Sequence, residues 1–462
     1  MRAMASRSAS ASSTCSTFAL SSSPGIMRWG WMSLLVIVLE VYLWTKAGDQ
    51  SFVKALRFHL YAFSVFGLYF TSRYVWRRMR QLIRPLPLLA QYPLLAVLLV
   101  GLSLATITIP LGQLIILTEP PLFLLLGSYL VGVVIFLSGT LLGLHVTTSI
   151  MRRLVKRRDN NSKIDNGESK DASLRFQSLI ALLITLALLS IGGYHSRNIQ
   201  ISYVTIPISR LPHNLNGTTI VQLSDIHMGP FIGRSRIESV VKKANALNGD
   251  IIVITGDLID SSVENLWEAA KPLGELKTKL GVYYTTGNHE YYSGDVDSWI
   301  EKLPELRVTP LINERRCIEP LMKEGSTTEG NGRDESCQNG FYLAGLEDIE
   351  TRRLRYGHHS MDIHKALSGR TQKIPTVVLA HQPRAAAEAI HWKDVRLVLS
   401  GHTHAGQVLP LMLPIYLYNP YFAGLYQPMV GVYVYVSAGT HYYMLPYRHY
   451  KPEITLLTLV SV

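Results

Sequence analysis

Residues 397–407 read LVLSGHTHAGQ. Leu397 to Ser400 read as the end of a buried strand, which breaks at Gly401 and presents His402 and His404 with only Thr403 between them. Side chains of alternate residues in an extended backbone point the same way, so the strand end offers two imidazoles to one space. Outward from it, the same arrangement recurs. TIVQLSDIHMG (219–229), GDIIVITGDLID (249–260), GVYYTTGNHEYY (281–292) and TVVLAHQP (376–383) are short β-rich runs that end in polar residues, each followed by helical periodicity, as in RSRIESVVKKANALN (234–248). From about Ile199 onward strands therefore alternate with helices, which predicts an α/β layered domain with parallel pairing in at least part of the sheet. In such sheets ligand groups sit in the loops at the carboxyl ends of strands.

Those loops hold Asp225 and His227, then Asp257 and Asp260, then Asn288, His289 and Glu290, then His381, then His402 and His404. None holds a cysteine, which excludes a thiolate site, and carboxylate, imidazole and amide oxygen together suit Mn, Fe, Zn or a similar divalent ion. Seven or more such donors exceed what one ion needs, so two divalent cations are expected. Two cations roughly 3.5 to 4 Å apart can share a hydroxide nucleophile and hold the oxygens of a phosphate on both sides of an in-line displacement. A carboxylate serves as the bridge, and a histidine outside the ligand set can protonate the leaving alkoxide.

The first part of the chain is of another kind. Up to residue 198 there are 20 Lys+Arg against 7 Asp+Glu, and the remainder holds 25 against 26, so the whole net charge of +12 lies in the N-terminal part. The second part lacks the clustered cations that phosphate-backbone binding uses, and no nucleic-acid partner is expected. Apolar runs occupy Trp29 to Thr45, Phe58 to Ser72 and Phe176 to Tyr194, while Leu86 to Met151 carries one charged residue, Glu119, and breaks near Thr118-Glu119-Pro120-Pro121. Since a spanning helix needs about 20 apolar residues, about five transmembrane helices are expected, near 29–45, 57–76, 92–118, 121–150 and 176–194, with the lipid bilayer as partner. The alternative for each run is a buried helix of a soluble domain. The basic clusters 73–84 and 152–158 flank the long apolar block, and basic loops near span ends face the cytoplasm. The last span then leads out, which puts residues 199–462 on the lumenal or extracellular side. Residues 1–26, rich in Ser and Ala, are expected to be disordered.

Cys317 and Cys337 bracket a polar stretch that reads as a surface insertion. They are either a disulfide closing that loop, as an oxidising compartment allows, or two free thiols. Asn216-Gly217-Thr218 is an N-glycosylation acceptor just past the last span; Asn160-Asn161-Ser162 is another, on the cytoplasmic side of this topology.

SDIHMG, GDLID, GNHE, AHQP and GHTHAGQ, in this order, resemble the calcineurin-like metallophosphoesterases, whose pattern is D-x-H, G-D-x-x-D, G-N-H-[DE], a later H, and G-H-x-H. The resemblance runs from about Thr218 to Val460 and implies a layered β-sandwich flanked by helices that hydrolyses a phosphomonoester or phosphodiester. It implies Asp225, His227 and His404 as ligands of a first metal, Asp257 as the bridge, and Asn288, His381 and His402 as ligands of a second. His289 would be the acid, oriented by Asp260. In the protein phosphatase branch an arginine follows the second carboxylate and grips the substrate phosphate; here Ser261 follows Asp260, which points away from phosphoproteins and, beside a membrane, toward a lipid-linked or small-molecule phosphate. His358, His359, His391 and His441 read as solvated or packing residues; Arg448 reads either as a phosphate contact or, as is commoner for a lone arginine near a C-terminal strand, as a surface residue. The rival from another class is a catalytically silent metal-binding receptor or transport accessory on the same fold, against which every expected ligand is present.

Overall fold

The structure is a computed structural model that describes residues 49–158, 167–320, 337 and 339–462. The expected span at 29–45, the Ser-rich tail, the Asn160 acceptor and most of the insertion between the cysteines lie outside the described residues.

Four long helices come first: α1 (Asp49–Ile83), α2 (Leu88–Leu114), α3 (Leu122–Arg158) and α4 (Gly167–Arg197). Among the described residues three are long and apolar enough to cross a membrane, over Leu88–Leu114, Leu122–Leu154 and Asp171–Arg197. The expected segment 57–76 lies inside α1, which is not among these three; its Leu68, Val75 and Met79 are buried against Leu102, Ala105 and Ile109 of α2 and Val131, Val134, Leu137 and Leu141 of α3. Two boundaries differ from those expected. Helix α2 stops at Leu114 rather than 118, because Ile115 and Ile116 turn aside to pack on the core of the following domain. Helix α3 runs on to Arg158 through the basic run, whose arginines and lysine are good helix formers.

The remainder builds two six-stranded sheets. The first contains β1 (Gln200–Ile208), β2 (Thr219–Leu223), β3 (Ile251–Thr255), β4 (Val282–Thr285) and β5 (Val308–Pro310). The second contains β6 (Glu314–Ile318), β7 (Phe341–Gly345), β8 (Thr376–Leu379), β9 (Val395–Ser400), β10 (Gly424–Met429) and β11 (Val432–Val436). The final strand, β12 (Glu453–Ser461), returns to the first sheet, giving the orders β1-β12-β2-β3-β4-β5 and β10-β11-β9-β8-β7-β6. Strands β2 to β5 are mutually parallel, as are β7, β8, β9 and β11.

The apolar runs are continuous because both faces of each sheet are covered. In β3, Ile251 and Val253 point into the core between the sheets, where they meet Leu343, Leu379, Leu397 and Leu399 of the second sheet. Ile252 and Ile254 point the other way, into a core shared with the helices Arg234–Ala246 (α5) and Val263–Ala270 (α6). In β9, Val398 likewise faces an outer core with Ala385, Ala386 and Ala389. The domain is thus an α/β/β/α sandwich, as the sequence implied.

This sandwich sits against one end of the helical bundle. Tyr447 lies in the groove between α3 and α4, where its hydroxyl donates to the Tyr129 carbonyl at 3.1 Å and where a Cβ at Gly132 would collide with its ring. Arg448 N–H donates to the Gly192 carbonyl at 2.9 Å. On the other side of the bundle, the turn between α2 and α3 caps α5: the Thr118 carbonyl accepts from Arg234 N–H at 2.9 Å, and the Glu119 carboxylate accepts from the backbone N–H and, at 3.0 Å, the hydroxyl of Ser235. An acidic group at a helix N-terminus satisfies the donors that have no intrahelical partner.

Candidate metal centre

The carboxyl ends of β2, β3, β4, β8 and β9 converge on one edge of the sandwich, and the loops leaving them carry every expected ligand. Of these ligands Asp225, His227, Asp257, His402 and His404 have left-handed backbones, with φ of 54°, 52°, 50°, 70° and 48°. Non-glycine residues rarely adopt that conformation, which costs on the order of 1–3 kcal/mol each and concentrates where geometry serves a ligand. Gly401 is required by close approach: a Cβ there would collide with Ser224 Oγ and Asp225 Oδ2.

Three overlapping donor groups result, each with its ligand atoms within 4.8 Å of one another: Asp225, His227 and His404; His227, Asp257 and His289; and Asp257, His381 and His402. In the first, His227 Nε2 lies 2.9 Å from His404 Nε2, and Asp225 Oδ1 is 3.3 Å from the same nitrogen. In the last, Asp257 Oδ2 lies 3.1 Å from His381 Nε2. His402 Nδ1 is 2.9 Å from the amide oxygen of Asn288, which brings Asn288 to this group. Asp257 Oδ2 is also 3.8 Å from His227 Nε2, so one carboxylate oxygen stands between the two ends of the site.

The hydrogen bonds behind these atoms decide which nitrogens are free to ligate. His381 Nδ1 donates to the Thr255 carbonyl at 2.7 Å, which turns its Nε2 toward the site. That nitrogen is buried and, despite its approach to Asp257, has no partner in hydrogen-bonding geometry. Asp260 Oδ1 accepts from His227 Nδ1 at 3.1 Å and from His289 Nδ1 at 2.8 Å, aiming both Nε2 atoms into the site, the arrangement in which a carboxylate behind a histidine fixes its tautomer for metal binding. A buried orphan nitrogen, facing imidazoles and carboxylates without a thiolate fit divalent cations of the Mn, Fe or Zn type.

Electrostatics agree with this use. Burial pushes His402 down to about 3, helped by the neighbouring His381 charge, and burial with His227 and Arg448 beside it depresses His404 well below its ordinary range, so both imidazoles stay neutral. Burial alone would raise Asp257, but the charges of His381 and His289 outweigh it and hold this carboxyl well below the usual range. His289 is pushed up to about 9: burial opposes protonation, and Asp257 and Asp260 overcome it.

Glu290, among the strand-end oxygens, faces away from the ligand groups. Its carboxylate accepts from the backbone N–H groups of Gly287, Asp257 and Leu258 at 2.6, 3.1 and 2.7 Å, locking two of the ligand loops together. Arg448 corrects the expectation of a surface residue, since it is fully buried. Its guanidinium lies 3.1 Å from His404 Nδ1 and donates to the His404 carbonyl at 3.0 Å, and also to the carbonyls of Ala438 and His441. No short motif surrounds it; the only signal was that it follows the last small-residue turn, SAGT, which proves to pack beside the GHTH loop. His359 is buried between Glu347 and Asp297, His441 is buried, and His358 and His391 are exposed. Cys317 and Cys337 are joined by a disulfide. Asn216 is exposed on the turn before β2, and its side-chain oxygen accepts from Ser461 N–H at 2.8 Å.

A helix-covered double sheet whose parallel strand ends gather carboxylate, amide and imidazole donors defines a metallophosphoesterase domain. The chain belongs to the calcineurin-like phosphoesterase family, whose model matches residues 218–406. It is 39% identical over 345 residues to the transmembrane protein with metallophosphoesterase domain of Danio rerio, covering 74% of this chain and 75% of that one. To the Bos taurus protein of the same name it is 43% identical over 293 residues, 63% of this chain and 64% of the relative. An uncharacterized metallophosphoesterase of Helicobacter pylori is 33% identical over 306 residues, 64% of this chain and 74% of that one. The apolar helices and these relatives mark a membrane-associated protein.

Proposed function

We propose that this chain is a membrane-anchored phosphoesterase with a dinuclear metal centre, hydrolysing a phosphomonoester or phosphodiester. The observation that carries the reading is the position of Asp257 Oδ2, 3.1 Å from His381 Nε2 and 3.8 Å from His227 Nε2, between two sets of imidazole donors. Asp225, His227 and His404 would hold one cation, Asn288, His381 and His402 the other, and Asp257 both. When bound, two such cations neutralise phosphate oxygens and make water a competent nucleophile near neutral pH.

The protein's own residues supply the rest. His289, its Nδ1 held by Asp260, turns Nε2 toward the cavity above the ligands and would give its proton to the leaving alkoxide oxygen as the P–O bond breaks. Asp260 keeps that ring in one orientation and one tautomer. The backbone N–H of His289 donates to Asp257 Oδ1 at 2.9 Å, which couples the position of the acid to that of the bridging carboxylate.

The placement of the domain supports the lumenal or extracellular reading. The sandwich packs on the ends of α3 and α4 around Tyr129 and Gly192, whereas Arg78 of the first basic cluster donates to the Leu174 carbonyl and Gln177 side chain at the other end of α4. Basic clusters and sandwich are at opposite ends of the bundle. The disulfide accords with an oxidising compartment.

The test is hydrolysis of aryl phosphomonoesters and phosphodiesters by the full chain in detergent, metal-stripped and then given Mn²⁺, beside His402→Ala. Metal-dependent turnover that His402→Ala abolishes is expected; a folded, metal-loaded protein that turns over neither class refutes the proposal.

A further inference from the structure

The ligand cluster is roofed by the helical bundle. A cavity of 530 Å³ has His289 and His402 at one end and, at the other, Phe63, Gly67 and Thr71 of α1 with Ile109 of α2 and Val131 and Ile135 of α3. Phe63, Gly67 and Thr71 recur every four residues on a single stripe of α1, so this wall runs about 12 Å along the helix, at about 1.5 Å per residue. A soluble phosphate ester would leave that wall empty.

The mouth has the same character. The short helix Met412–Tyr418 has no buried residue, and its Ile415 with the preceding Leu411 lines the cavity rim. Leu413 and Leu417 on that helix are 65% and 72% exposed, and Phe63 is 78% exposed. Exposed apolar groups beside helices long enough to span are what a bilayer covers, and helices of this type lie in its interface.

We infer that the substrate is a lipid phosphoester whose apolar chain lies in this helix-walled cavity while its phosphate reaches the metal-binding end. The inference rests on the phosphoesterase reading and adds the substrate class to it. The chain enters laterally, between α1 and the 411–415 segment, without leaving the bilayer. In the reaction water supplies the attacking oxygen, the P–O bond to the lipid alcohol breaks, and the alcohol takes the proton held on His289; the lipid alcohol stays in the membrane and the phosphate leaves to water. Two sources share this chemistry, fatty-acyl and isoprenoid lipids, and a long apolar chain on a phosphate is what the cavity would recognise.

Gly67 provides the test, because it lines the cavity and a Cβ there would have no heavy atom within 4 Å. The Mn²⁺-loaded full chain in nanodiscs is assayed with alkyl monophosphates from four to twelve carbons, the matching phenyl alkyl diesters, and geranyl phosphate for the isoprenoid source. The preferred ester class should show kcat/KM rising about fourfold per added methylene, the ratio that about 0.8 kcal/mol per buried CH₂ gives, until the cavity is full. Gly67→Trp should flatten that rise and cut the long-chain rate at least tenfold more than it cuts aryl phosphate turnover. Leu186→Trp, on the lipid-facing side of α4, should change neither. A chain-length profile that is flat in the unaltered protein, or unmoved by Gly67→Trp while aryl turnover persists, overturns the lipid cavity alone. Loss of every substrate in the unaltered protein overturns the phosphoesterase reading beneath it.

Discussion

Replacing His289 with Asn should slow the release of an alcohol far more than the release of a phenol. The ring sits with Nδ1 2.8 Å from Asp260 Oδ1, and its side chain is 17% exposed on the cavity. Asp257 and Asp260 lift it to about 9 against burial, from 6.5, a bias of about 3 kcal/mol toward the protonated form at 1.36 kcal/mol per unit. Positioned acids contribute about 10²- to 10⁴-fold, and this bias corresponds to the lower half of that range. Asn at 289 keeps the backbone N–H to Asp257 Oδ1, so the bridging carboxylate stays in place. The expected loss in kcat is therefore about 10²- to 10³-fold for an alkyl ester and under tenfold for a nitrophenyl ester, whose leaving group departs as a stable anion. The sign of the pH effect follows. A raised histidine is protonated up to its folded value, so alkyl-ester turnover in the parent should fall above about pH 9, and its contribution to stability, complete below 6.5, should be lost across the same interval. Cations bound at Asp257 offset that carboxylate and move the limb lower, while Asp260→Asn should move it lower still. The assay is steady-state kinetics with both leaving groups on metal-loaded protein between pH 6 and 10. Equal losses for the two would refute the role of His289 as acid.

Other consequences are open to direct measurement. Asp348 is pushed up to about 7 by burial, so its contribution to stability is present below about pH 4 and lost as pH rises to 7; Asp348→Asn should remove that slope and raise Tm at pH 8, with a gain of a few kcal/mol seen in denaturant melts. Arg448→Met strands the carbonyls of His404, Ala438 and His441 in a dry core and should cost about 3–5 kcal/mol, with Arg448→Lys recovering under half; equal stability of all three proteins would show that the arginine is replaceable. Metal analysis should find about two Mn per chain in the parent and about one in His404→Ala, since the 2.9 Å pair of ring nitrogens on His227 and His404 loses one member.

The candidate donor cluster was legible because each donor ends a strand whose apolar run is itself a strong signal, and glycine marks the turn beside several of them. Parallel pairing then made convergence of those ends a geometric necessity. Arg448 was not legible: an isolated arginine in a loop carries no periodicity, and its burial depends on a turn 44 residues after His404 folding back onto it. The apolar run Phe58 to Ser72 is the middle of a 35-residue helix whose ends carry the charge. Ile115 and Ile116 look like lipid-facing residues in sequence, because lipid and a protein core are equally apolar; only the tertiary fold separates them. The cavity between bundle and site is a property of two segments meeting, and no local pattern announces it.

The turn that caps α5 bears on how the protein comes into being. Thr118 and Glu119 reach the catalytic sandwich only if α2 and α3 have already been delivered to the correct side and folded into a hairpin. A chain synthesised with that hairpin misinserted would emerge with a frayed α5, a bare patch around Phe231 and Tyr447, and a reaction chamber lacking its roof. The fold of the hairpin and the integrity of the α5 terminus are thereby linked, and a copy without that contact would expose the terminus to proteases.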